Sequence, residues 1–155
     1  MTQPKGVLIL EDTALLLEQL AERCAEEHFK VFDCCSIYEA IDAWNNHQGE
    51  IRAIVTDINM DSNGLTETEA RATKDGKFSG WLWVNNYVIP TGFFAKNVII
   101  LSEYNRDLGL YTQSSGLQLQ KDNYRIIQRS KHFIDKVDPS GATQKLMEAL
   151  RKLMA

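Results

Sequence analysis

What this chain of 155 residues lacks narrows its class first. It has only 3 cysteines, Cys24, Cys34 and Cys35, an odd count with no CxxC pair, and its 3 histidines are scattered at His28, His47 and His132. That spacing argues against a structural zinc site. All three thiols read as reduced cytosolic residues, with Cys24 and one of the vicinal pair buried as small hydrophobes. Redox sensing by Cys34 and Cys35 is the minor alternative. Positive charge is also short: 17 Lys and Arg face 21 Asp and Glu, a net charge of −4. A phosphate binder usually shows a basic stripe, so direct nucleic-acid binding is not expected. No apolar run is long enough to span a bilayer, and no basic segment leads into an apolar one near Met1. A cytoplasmic protein away from the membrane is expected. Internal repeats and low-complexity tracts are absent too.

What is present is an alternation of short apolar runs and amphipathic segments. "VLIL" (7–10) is continuous and reads as a strand buried on both faces, as in a parallel sheet. Segment 13–28 places Leu16, Leu17, Leu20, Ala21 and Cys24 at spacings of three and four, the pattern of an amphipathic helix. "KVFDCCS" (30–36) is a second strand. The next helix (36–49) opens on a capping box, Ser36 with Glu39, and carries Ile37, Ala40, Ile41 and Trp44 on one face. "IRAIVTD" (51–57) is the third strand. A helix is expected over 80–89, entered at Gly80 and stopped by Pro90, then strands over 97–102 and 132–136. The last helix (138–154) has Asp138 as N-cap and Pro139 as first helical residue. Strands alternating with helices imply βαβ units and a parallel sheet with right-handed crossovers. The length suits one domain over 1–155. Two connections are too long for ordinary loops: one of about 61–79, with a short helix expected around Thr66–Lys74, and one of about 103–131.

The ends of the strands hold the chemistry. "AIVTDINMD" (53–61) carries an apolar strand straight into Asp57. Aspartate is a common cap or turn residue, and that reading of Asp57 stands at even odds with a functional one. Glu11 and Asp12 end the first strand, Ser102 the fourth and Lys136 the fifth. Alone, the acid pair would cap a helix, Ser102 would be an ordinary strand-end hydroxyl and Lys136 a solvated lysine. Phe133, and Trp81, Trp83 and Tyr87 on their helix, read as core packing. Together the group differs, because three carboxylates at the carboxyl edge of an open α/β sheet need a cation, and clustered oxygens suit Mg²⁺. A carboxylate so placed can attack phosphorus and carry the phosphoryl group as an acyl phosphate.

These residues resemble, in order, the motifs of response regulator receiver domains. "VLILED" matches that family's first strand and acid pair, and "AIVTDINM" its phosphoacceptor strand. The resemblance implies a flavodoxin-like three-layer α/β/α fold, doubly wound, with five parallel strands in the order 2-1-3-4-5. It implies Asp57 as phosphoacceptor. Mg²⁺ would be held by Glu11, Asp12, Asp57 and the backbone carbonyl of Asn59. It further implies Ser102 and Phe133 as the switch pair and Lys136 as the lysine that neutralises the phosphoryl oxygens. The donor would be a histidine kinase or phosphotransfer protein and the reader a downstream protein target, with a homodimer also open. A domain of this kind catalyses its own phosphorylation and dephosphorylation and is no metabolic enzyme. With no output domain after the last helix, it is either a stand-alone receiver or one excised from a longer chain. The chain departs from the family pattern at three points: Asp61 follows Met60 where a proline is usual, Glu103 follows Ser102 where a small residue is usual, and Val137 replaces the proline after the lysine. A degenerate receiver that binds partners without phosphorylation is therefore the alternative. An aspartate-nucleophile phosphohydrolase of the haloacid dehalogenase group ranks last, since Asn59 stands where that group has its general acid.

Overall fold

Five consecutive buried residues, Gly6–Leu10, form strand β1, the sheet's apolar centre. Only a strand covered on both faces can be apolar at every position. The computed structural model describes residues 3–57, 60–72, 79–101, 133–134 and 139–155. Within them, β1 is followed by α1 (Ala14–Glu26), β2 (Lys30–Cys34), α2 (Ile37–His47) and β3 (Ile51–Thr56). Then come α3 (Glu67–Ala72), α4 (Ser79–Trp83), β4 (Val98–Leu101), β5 (Phe133–Ile134) and a last helix, α5 (Pro139–Met154). All strand pairs are parallel, and the order is β2-β1-β3-β4-β5. The expected doubly wound topology is present, with β5 as a two-residue strand on Ile100 and Leu101.

Each helix covers the face its pattern requires. On one side, Trp44 and Ile37 of α2 and Trp81 and Trp83 of α4 pack on Leu8, Leu10, Ile54 and Ile100. On the other, Leu16, Leu17, Leu20 and Cys24 of α1 and Leu146, Met147 and Leu150 of α5 pack on Val7, Ile9, Val55 and Ile99. Strand residues alternate between the two clusters, as the two-residue period of a strand demands. The N-cap of α2 is Ser36, whose hydroxyl accepts from Glu39 N at 3.1 Å, while the Glu39 carboxylate takes Cys35 N–H at 2.8 Å.

The helix after α4 differs from expectation. The sequence predicts regular helix over 80–89, whereas Val84–Val88 is π-helical and Ile89–Thr91 a 3₁₀ turn. Ile89 N–H bonds Val84 O, five residues back. Pro90 does not stop the helix but sits inside the 3₁₀ turn, where its missing N–H is tolerated. The stop comes at Gly92, left-handed at φ 95°, whose N–H bonds Ile89 O at 3.0 Å.

Candidate functional site

The register of β1 on β3 builds the site. Leu10 pairs with Thr56, so the next residues, Glu11 and Asp57, leave the sheet side by side. Asp57 N–H bonds Leu10 O at 3.0 Å, and Glu11 N–H bonds Cys34 O at 3.1 Å. Glu11 is fully buried and Asp57 is 1% exposed, whereas Asp12 is exposed. One carboxylate oxygen from each of the three lies within 4.8 Å of the others. Three carboxylates this close repel one another in the ionised state, and a small divalent cation offsets that repulsion. The donors are all hard oxygens, two of them shielded from water and one open to it, which fits Mg²⁺ with part of its water shell retained.

Of the other residues singled out by sequence, Asn59, Ser102 and Lys136 lie outside the described residues, as do Glu103 and Val137. Phe133 is placed by its backbone in β5, opposite Ile100. The helix-cap reading finds limited support. Thr13 is the N-cap of α1 but makes no side-chain cap bond, and Glu11 Oε1 takes the Thr13 N–H at 3.1 Å. Asp57 caps no described helix, since the next one begins at Glu67.

Two features beside the site are not singled out by the sequence reading. Thr56, fully buried, has its hydroxyl 3.0 Å from Asp57 O and 3.4 Å from Gly80 O, and accepts from Trp83 Nε1 at 3.3 Å. A threonine between the apolar run Ala53–Val55 and the acid was the available signal. The second feature is how residues 60–72 dock. Met60 is buried in the core, and Leu65 packs against it. Thr66 and Glu69 form a reciprocal capping box at 3.2 and 2.9 Å. The Glu69 carboxylate also accepts from Asn86 Nδ2 at 2.9 Å and Tyr87 OH at 2.8 Å, tying α3 to the π-helical turn. Burial pushes the Glu69 pKa up, but the bonds from Asn86, Thr66 and Tyr87 outweigh it and hold the carboxyl below its ordinary value. The Tyr87 phenol is raised, by burial and by Glu69.

The cysteines sort by burial. Cys24 and Cys34 are buried and Cys35 is exposed. Burial pushes the first two thiols up to about 12. Cys35 is raised chiefly by its hydrogen bond to Glu39. Vicinal residues on a strand end point to opposite sides, so the pair does not share one environment.

No protein-family model and no curated protein sequence matches the chain. Solved structures do. A receiver domain protein from Clostridium thermocellum aligns at 16% identity with a TM-score of 0.57, over 97% of this chain and 99% of its own. The signal receiver domain of an HD domain-containing protein from Pseudomonas fluorescens Pf-5 aligns at 13% identity and TM-score 0.63, over 97% and 94%. A chain of the CheX–CheY–BeF3–Mg complex from Borrelia burgdorferi aligns at 26% identity and TM-score 0.55, over 95% and 90%. Among the described residues, no helix is long and apolar enough to cross a membrane. Along nearly its whole length, this chain has the fold of the CheY-like response regulator receiver domains.

Proposed function

We propose that the chain is a cytoplasmic receiver that accepts a phosphoryl group on Asp57 from a histidine kinase or phosphotransfer protein. The observation that carries this reading is the meeting of Glu11, Asp12 and Asp57 at the carboxyl edge of β1 and β3, oxygens within 4.8 Å. Two buried carboxylates on the neighbouring central strands contribute little to a core. They suit a site that handles a cation and a phosphoryl group.

In the proposed step an Asp57 carboxylate oxygen attacks the phosphorus of a phosphohistidine. The P–N bond breaks, its electron pair stays with the imidazole, and an acyl phosphate forms on Asp57. When bound, Mg²⁺ supplies positive charge against the phosphoryl oxygens. Glu11, Asp12, Asp57 and the Asn59 carbonyl would hold it. Lys136 would neutralise a second oxygen, and Ser102 would donate to a third. Ser102 and Phe133 would then reset the surface read by a downstream protein. The same groups would serve dephosphorylation by water. Residues 1–155 form a single domain in this reading, with 61–79 and 103–131 as insertions.

A second reading, a pseudo-receiver that binds partners without phosphorylation, is favoured by one observation. The segment from Met60 to Ala72 follows the acceptor strand directly and is docked by Met60, Leu65 and Glu69. Intact mass after incubation with Mg²⁺ and acetyl phosphate separates the two. One phosphoryl group gained by the native protein, and none by Asp57→Asn, is the expected result. No gain, with no Mg²⁺ binding by titration, selects the pseudo-receiver.

A further inference from the structure

The Asp57 residue is pinned on both sides of its Cα. Its N–H is held by Leu10 O of β1 at 3.0 Å. Its own carbonyl oxygen lies 3.0 Å from the Thr56 hydroxyl. Thr56 is fully buried and its hydroxyl lies beside Trp83, where an unsatisfied polar group is costly. It is satisfied by accepting from Trp83 Nε1 at 3.3 Å, which leaves its one proton for Asp57 O or, at 3.4 Å, Gly80 O. Trp83 is itself fully buried and is the last residue of α4 before the π-helical turn. Its ring is therefore fixed by packing, and it fixes the hydroxyl in turn.

We propose that Thr56 is a positioning residue for Asp57, held by Trp83, which aims the acceptor carboxylate by orienting its main-chain carbonyl and couples that aim to α4. The inference rests on the phosphoacceptor reading and deepens it. The N–H bond to β1 holds one side of the Asp57 Cα, and a bond from the Thr56 hydroxyl to the Asp57 carbonyl restricts the Cα–Cβ direction from the other. An attacking oxygen must meet phosphorus in line, so a small loss of aim lowers the rate at saturating donor more than it lowers donor binding.

The test is the time course of phosphoryl uptake by intact mass, with Mg²⁺ and varied acetyl phosphate. It uses the native protein, Thr56→Val, Thr56→Ser and Trp83→Phe, each checked for folding by circular dichroism. Valine keeps the shape and deletes the hydroxyl; serine restores it. The expected result is a maximal rate about tenfold lower for Thr56→Val. The half-saturating acetyl phosphate concentration stays unchanged, Thr56→Ser recovers the native rate, and Trp83→Phe is slowed. Thr56→Val at the native rate, or Thr56→Ser as slow as Thr56→Val, overturns the inference while leaving the phosphoacceptor reading intact. Should Thr56→Val not fold, Trp83→Phe decides: a native rate overturns the inference and a lowered one supports it. No uptake by the native protein overturns both.

Discussion

Ligand binding to the folded state stabilises it by RT ln(1 + [L]/Kd), about 1.4 kcal/mol at ten times the dissociation constant. For a chain of this size, that raises Tm by roughly 3–6 °C. Mg²⁺ is expected to give that rise in the native protein and to lose most of it in Asp57→Asn, as read by thermal denaturation with and without the ion. The thiols are a second case. A raised pKa means less thiolate at neutral pH, and the thiolate is the nucleophile. Cys24 and Cys34 are buried with pKa values of about 12, and Cys35, though exposed, is raised by Glu39. Iodoacetamide at pH 7 should therefore add slowly to one site in the folded protein and to three in denaturant, by intact mass. Rapid double modification or a Cys34–Cys35 disulfide would revive redox sensing. Glu11, Asp12 and Asp57 were legible only as a group: each alone has an ordinary capping or turn use, but three acids at the carboxyl ends of strands call for a cation, and the structure brings them together. Thr56 was not legible, since a buried hydroxyl gains its meaning only from Trp83 and Gly80, more than twenty residues on.

Among elements, the docked segment after β3 is the one that ordinary patterning describes least. A short helix was expected around Thr66–Lys74, and α3 is described over Glu67–Ala72; the Thr66–Glu69 capping box that opens it is a local signal the sequence reading passed over. That Glu69 also holds Asn86 and Tyr87 was not legible, because such a contact depends on tertiary placement. The π-helical turn was illegible for a related reason: over five residues, apolar spacing does not separate α from π winding. Gly64 is the fulcrum. It sits at φ 110°, and a Cβ there would lie 2.6 Å from Tyr38 N and 2.9 Å from Tyr38 Cα. Gly64→Ala combines left-handed strain with a backbone clash, so it should cost about 1–3 kcal/mol. The alternative is release of the segment from α2, visible as faster proteolysis between α3 and the sheet. Acid should act on the same tether. The Glu69 pKa is depressed in the folded state, so its contribution is present above the ordinary value of 4.5 and is lost as pH falls through the lower folded value. Amide exchange around 84–88 should therefore rise, after correction for intrinsic rates, only below about pH 4.5, and Glu69→Ala should show the raised exchange at all pH values.

At the scale of the whole molecule, the sheet divides the core into two clusters, and the site stands at the carboxyl edge beyond both. The parallel α/β class was legible in the alternation of apolar runs with amphipathic segments, but the strand order came only from the resemblance to receiver domains; in the structure β1 is buried at every position and β2 is half exposed, as centre and edge strands are. This separation leads to the expectation that a deletion in the cluster between α1 and α5 leaves the Mg²⁺ increment unchanged. Leu20 is fully buried on α1, packed with the α5 side of the core, about 9 Å along the helix axis from Ala14. Leu20→Ala removes core volume and should cost about 2–5 kcal/mol. That loss comes from cavity and transfer terms, neither of which involves Glu11, Asp12 or Asp57. Mg²⁺ should then add the same increment to Leu20→Ala as to the native protein, since sites without shared partners add within about 0.5 kcal/mol. Urea denaturation of both proteins, each with and without Mg²⁺, measures the four free energies. A smaller increment in the variant would mean that α1 packing sets the aim of the acid pair at its head. The Thr13 N–H bond to Glu11 would then carry core strain into the site.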